Sequence, residues 1–183
     1  ENGKTEKTFE TVLTTDGCYK AEQFIRFCDA FGIPVVSFTN VNGYKATVAE
    51  EKGIAAAAAK VTAAFAGATV PKVNVISGKA FGSTYIVMNS RHIGADMVFA
   101  VEGAKIGMMD AELAAQILYP EASAEERKSA ASTYDTLQGS AESAAKRGYV
   151  DAIISADSIR QQLAYAFNML YSKREARPAK KHG

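Results

Sequence analysis

The chain has 183 residues, 48% of them hydrophobic and 22% charged, proportions that exclude wholesale disorder. Lys plus Arg number 21 against 20 Asp plus Glu, a formal net charge of +1, so no polyanion-binding surface covers the whole molecule and no nucleic-acid partner is expected. No apolar run approaches the about 20 residues that span a bilayer, so no direct membrane insertion is expected.

Glu1-Asn2-Gly3-Lys4 offers neither an initiator Met nor a charged-then-apolar leader, which reads as a processed or excised piece of something longer. Residues 1–7 are polar and are expected to fray. Thr8 to Leu13 is rich in β-branched residues and predicts a strand, with Thr14-Thr15-Asp16-Gly17 as its turn. Phe24, Phe27, Cys28 and Phe31 recur at helical spacing, which predicts a helix over Cys18–Phe31 with that face in the core. Gly32 closes the helix, and Val35 to Thr39 predicts a buried strand followed by a loop at Asn40–Gly43. A helix is predicted over 48–66, where the run Ala55 to Ala59 lets a neighbouring backbone approach closely. After Pro71 comes a strand at Lys72–Ile76, then a glycine-bearing loop from Gly78 to Thr84 and a short helix around Tyr85–Asn89. Met97–Val101 and Ile106–Met108 predict two more strands. Helices follow at Asp110–Leu118, Ala124–Gly139 and Ser155–Ser172, the last with Ile159, Leu163, Ala166, Phe167 and Leu170 as its apolar stripe. Those helices carry more apolar surface than a small sheet needs, which predicts packing on another subunit.

Strands alternating with helices predict an α/β fold with parallel strands, organised as one domain over 1–183. Ligands in such folds gather where strands end and helices begin, which singles out Asn40–Thr47 and Gly78–Thr84. At the second, Gly82 permits unusual dihedrals, and the amides of Ser83 and Thr84 stand at a helix start. Spacing alone leaves two readings open: a generic helix entry, or an oxyanion site that needs no ionisable side chain. The alternatives lack residues. There is no Gly-x-Ser-x-Gly elbow, Walker loop or His-Glu-x-x-His run, and His92 and His182 are the only histidines. His92 reads as a structural group and the Met108-Met109 pair as packing. Cys18 and Cys28 are too few for a disulfide scaffold and are not spaced as metal ligands. No metal is expected, and a reducing cytoplasm is the default location. Cys18 at a helix start has a position that can lower a thiol pKa, but no base to use it. Arg177 to His182 reads as a solvated basic terminus.

Longer motifs add a resemblance. Ile25-Arg26-Phe27-Cys28-Asp29-Ala30-Phe31-Gly32-Ile33-Pro34-Val35-Val36 resembles the "RFCDAFNIPLV" stretch of biotin-dependent carboxyltransferases. Ala68 to Val73 resembles their "ATVPKVTVI", and Lys79-Ala80-Phe81-Gly82-Ser83-Thr84-Tyr85-Ile86-Val87-Met88 their "KAYGGAYDVM". Arg147 to Asp151 resembles "RGFVDDII", and the ending from Arg177 is similar to "RPxKKHG". The likeness runs in order from about Leu13 to Gly183 and points to the C-terminal half of such a subunit.

The resemblance implies a crotonase-like spiral of ββα units with a helical C-terminal region. It implies the biotin-side domain of an acyl-CoA carboxyltransferase, which moves a carboxyl group between biotin, borne on a separate carrier protein, and an acyl-CoA substrate. The implied partners are the acyl-CoA-binding half and the biotin carboxyl carrier protein, in a homo- or hetero-oligomer; alone, the chain is expected to be inactive. The family's Gly-Gly-Ala falls on Gly82, Ser83 and Thr84, which carries the oxyanion amides over to Ser83 and Thr84. Gly43, Tyr44, Phe81, Tyr85 and Ile86 are the implied biotin-contacting residues. Three departures stand out: Ser83 replaces a glycine, Ile86 replaces an Asp, and Val41 to Thr47 retains one glycine and neither proline of "VPGFLPG". The last of these motivates an alternative, a non-catalytic assembly subunit that retains the fold.

Overall fold

The computed structural model describes residues 10–175, so the expectations for residues 1–7 and for the basic tail lie outside it. A two-residue strand β1 (Val12–Leu13) leads into α1 (Thr15–Ala30). The segment predicted as a turn is the helix start, because the Thr14 side chain caps it by accepting the Gly17 N–H. Next come β2 (Val35–Val41) and β3 (Gly43–Tyr44), the latter pairing with β1. The single helix predicted over 48–66 is two, α2 (Val48–Glu51) and α3 (Ile54–Gly67), divided at Lys52–Gly53.

The aromatic face of α1 is a correction. Phe24, Phe27 and Phe31 are 60, 54 and 69% exposed, whereas Cys18, Ile25 and Cys28 are buried. The helix turns its small side chains, not its large ones, toward α3, whose Ala57, Ala58 and Val61 are buried in the same cluster. Two helices meeting through small residues approach closely, which leaves the phenylalanines outside. Cys18 also departs from expectation: burial first, then the nearby Glu50 carboxylate, push its thiol pKa up.

The C-terminal end of α1 is tied by one carboxylate to the segment that leads into β4. Asp29 Oδ1 accepts from the Thr69 N–H at 2.7 Å, the Thr69 hydroxyl at 3.1 Å and the Val70 N–H at 3.3 Å. Asp29→Ala strands those partly buried donors and should lower unfolding free energy by about 2 kcal/mol, read as a shifted urea midpoint at unchanged slope.

The central strand is β4 (Lys72–Phe81), longer than predicted because it continues through Gly78. It runs straight into α4 (Gly82–Val87), so the expected loop between them is absent. After α4 come β5 (Met97–Val101) and β6 (Lys105–Gly107). The first half of β4 pairs with β5 and its last three residues pair with β6, so one strand serves two layers. The helical region comprises α5 (Ala111–Leu118), α6 (Ala124–Tyr134) with a π-helical extension through Gly139, and α7 (Ala141–Lys146). Strand β7 (Ala152–Ile154) and helix α8 (Ile159–Leu170) close the described chain. The main sheet has the order β2-β4-β5-β7 with β6 on β4, and its strand pairings are parallel, as expected. The α8 stripe packs on the face formed by Val73, Val75 and Phe99. Among the described residues no helix is long and apolar enough to cross a membrane.

Candidate functional site

The C-terminal end of β4 delivers its chain to a turn that only glycine accepts easily. Gly82 has φ +60, and a Cβ there would stand 3.2 Å from the Met108 carbonyl oxygen. That contact lets the segment after β6 lie directly over the start of α4. A cavity of about 400 Å³ opens between them. Gly43, Tyr44, Phe81, Gly82, Ser83 and Thr84 line it. Met108, Met109, Asp110 and Leu113 from the segment after β6 also line it, as do Lys79 and Asn42.

Six of the eight residues named from the sequence therefore meet at one cavity, although Gly43–Tyr44 and Phe81–Thr84 are far apart in the chain. The first-turn amides of Ser83 and Thr84 have no hydrogen-bond acceptor among the described residues. Ser83 is exposed, while Thr84 is 1% exposed and its hydroxyl donates to the Phe81 carbonyl at 2.7 Å. The Thr84 side chain is thus committed to the fold.

Tyr85 and Ile86 are placed elsewhere. Ile86 is 39% exposed and is not among the lining residues. Tyr85 is 5% exposed and packs edge-on against the His92 ring, which in turn lies on Tyr149. This stack accounts for His92 as a structural group. Burial, with the neighbouring Tyr149, pushes the Tyr85 pKa up to about 12. Because the folded value lies above the unfolded one, Tyr85 contributes fully below pH 10 and loses that contribution as pH rises toward 12. Wild type should lose about 1.4 kcal/mol per pH unit more than Tyr85→Phe in that window, measured by urea unfolding of both proteins.

A buried polar cluster supports α4 from behind. Asn74 Oδ1 accepts from Ser37 at 3.1 Å and from Thr39 at 2.8 Å, and Asn89 Nδ2 donates to the Ser37 hydroxyl at 3.1 Å. Thr39 also reaches the Met88 carbonyl, just past the end of α4, at 3.4 Å. Asn89 adopts φ +53, a left-handed conformation that asparagine tolerates better than most residues. These bonds join β2, β4 and the exit of α4 into one unit.

Sequence reasoning missed the Met108–Leu113 wall, and it assigned Met108 to packing. Met108 is 75% exposed at the cavity. Asp110 carried a legible signal, since an Asp before an apolar helical run marks a cap; its Oδ1 accepts the Glu112 N–H at 3.0 Å. Among the described residues no group of three or more His, Cys, Asp and Glu is placed to hold a metal ion.

Comparison with known proteins adds the following. The family model described as the carboxyl transferase domain matches residues 4–183. A putative propionyl-CoA carboxylase beta chain of Bacillus subtilis is 45% identical over 178 residues, covering 93% of this chain and 35% of that protein. The methylmalonyl-CoA decarboxylase subunit alpha of Propionigenium modestum is 40% identical over 178 residues, covering 93% and 34%. Among solved structures, the transcarboxylase 12S hexamer with methylmalonyl-CoA and methylmalonic acid bound is 38% identical with a TM-score of 0.89, covering 94% of this chain and 34% of that one. The beta subunit of Pseudomonas aeruginosa geranyl-CoA carboxylase, at 24% identity and a TM-score of 0.80, shares the fold. The crotonase-like α/β fold is therefore established. The chain spans about a third of the length of these relatives, less than the half expected.

Proposed function

The chain belongs to the carboxyl transferase family, and from that premise we propose that it forms the biotin-side part of an acyl-CoA carboxyltransferase. One observation carries the proposal. The two segments that the motifs assign to the reaction, Gly43–Tyr44 and Phe81–Thr84, line a single cavity.

The donor set there suits a ureido group, which is neutral and presents one carbonyl oxygen. Two backbone N–H groups from Ser83 and Thr84 can donate to that oxygen, and Tyr44, Phe81 and Leu113 offer apolar walls. Biotin, when bound, supplies the ring nitrogen that carries the carboxyl group. The amides of Ser83 and Thr84 favour the state in which negative charge has grown on the oxygen they face, and as fixed dipoles they need no reorganisation. Phe81, itself buried, backs the two amides with an apolar ring. No ionisable group of this chain is required at that step.

The acyl-CoA, the biotin carrier protein and the other part of the subunit are the partners this reading calls for. Exposed Ile117, Leu118 and Tyr119 on and after α5 provide apolar surface for such an assembly. The alternative, a non-catalytic assembly subunit, draws on the segment after β2. There Asn42 donates to Thr11 and Lys45 pairs with Glu10, so the residues that replace "VPGFLPG" are fastened to the chain before α1.

Reconstitution separates the two readings. The purified chain alone should turn over neither biotin nor methylmalonyl-CoA, because a part-site cannot hold both substrates in attack geometry. Combined with an acyl-CoA-binding counterpart, it should transfer labelled carboxyl to biotin. Decarboxylation by the chain alone overturns the division of labour, and assembly without any transfer assigns the chain to scaffolding.

A further inference from the structure

Resting on the reading above, we propose that Lys79 recognises the carboxylate of the group being transferred, and that Asp110 holds its ammonium until that carboxylate arrives. Alternation along β4 puts Lys79 on the same face as Phe81, and both line the cavity. The Lys79 backbone is pinned, since its N–H donates to Asn40 Oδ1 at 3.0 Å. Gly78 makes that bond possible, because a Cβ on residue 78 would stand 2.6 Å from the same oxygen.

Among the described lining residues Lys79 is the sole cation and Asp110 the sole carboxylate. Their side chains are 47 and 44% exposed, and Nζ lies 3.5 Å from Asp110 Oδ2. A half-exposed pair at that length contributes little, so an entering anion can displace it. Asp110 is built to be released: its Oδ1 keeps the Glu112 N–H whether or not Oδ2 faces Lys79. With one charge of each sign, the lining suits a small carboxylate rather than a phosphate carrying two charges. Lys79 thereby offers a charge-assisted hydrogen bond to a carboxylate in the cavity that also holds the Ser83 and Thr84 amides.

The test is a titration of the isotope-labelled full chain with monomethyl malonate, a monoanion, and with dimethyl malonate, its neutral counterpart, followed by amide chemical shifts. The anion should saturate the Ser83 and Thr84 shifts at about tenfold lower concentration than the neutral ester. Lys79→Gln should erase that preference, and Asp110→Asn should sharpen it by removing the competitor. Both side chains are near half exposed, so the variants should fold, with circular dichroism as the check. If Lys79→Gln keeps the preference, the role of Lys79 is overturned while the amide reading stands. If the anion perturbs Lys79 but neither compound moves the two amides, the carboxylate does not sit beside them and the proposal is overturned, while the ureido reading is decided by the transfer assay. No response anywhere also overturns the proposal.

Discussion

Gly82→Ala should lower stability by about 1–2 kcal/mol and reduce carboxyl transfer by the assembled enzyme at least about tenfold. Two effects coincide at this residue. Its φ of +60 is one that an L-residue reaches only with strain, and its new Cβ would lie 3.2 Å from the Met108 carbonyl oxygen. That neighbour is backbone and cannot rotate aside, so either Met108 shifts or α4 re-aims its first turn. Both movements change the cavity, since Met108 and Ser83 both line it. Gly103 is the control. It has φ +81, lies in the turn between β5 and β6, and a Cβ added there would meet nothing within 4 Å. Gly103→Ala should therefore cost similar stability with transfer unchanged. Urea midpoints and transfer rates on both variants decide the matter, and equal activity in the two would mean that the Gly82–Met108 contact does not govern transfer.

The architecture was legible where local and long-range signals agreed. Short apolar runs bounded by Gly and Pro marked the parallel strands, and of the Ala55–Ala59 run Ala57 and Ala58 pack in the cluster shared with α1 while the other three are exposed. The aromatic stripe of α1 misled because periodicity reports that a helix has a face, not which face is inward. Cys18, Ala21, Ile25 and Cys28 form an equally regular stripe of smaller residues, and these meet α3 and its surroundings. Strand ends were misplaced for a related reason. Gly78 looked like a loop residue, yet it stays in β4 because Asn40 occupies the space a side chain would take. That is a tertiary fact with no local signature. Strand β7 at Ala152–Ile154 was missed: its three residues run directly into the Ser155 helix entry with no Gly or Pro between to mark a boundary.

The site divided along the same line. Motif likeness found Phe81–Thr84 and Gly43–Tyr44, which line the cavity from β3, the end of β4 and the start of α4. Tyr85 and Ile86 sit in the same motif, but helical geometry turns successive side chains by about 100°, so neighbours of a lining residue need not line the cavity. Tyr85 faces His92, and Ile86 lies on the exposed side. Met108 and Asp110 were missed as site residues because they reach the cavity only after β6 pairs with the end of β4, a juxtaposition set by register.

Thr84→Pro should lower transfer by the assembled enzyme by on the order of 10²-fold, the scale seen when a single oxyanion donor is lost. Proline removes the N–H and leaves a first helical turn otherwise feasible, since that amide has no acceptor within the described fold. It also removes a buried hydroxyl that donates to the Phe81 carbonyl at 2.7 Å, so stability must fall by about 1 kcal/mol for that reason alone. Thr84→Val separates the two losses: it deletes the same hydroxyl bond but keeps the amide. The valine variant should match the proline variant's hydroxyl-related destabilisation while retaining transfer within a fewfold. Ser83→Gly and Ser83→Ala should also stay within a fewfold, because the Ser83 side chain is exposed and the proposed donor is its backbone. The comparison is made at saturating substrate, with circular dichroism confirming the fold of each variant. If Ser83→Ala is inactive while Thr84→Pro is active, a side-chain hydroxyl performs the chemistry and the backbone mechanism is wrong for this chain.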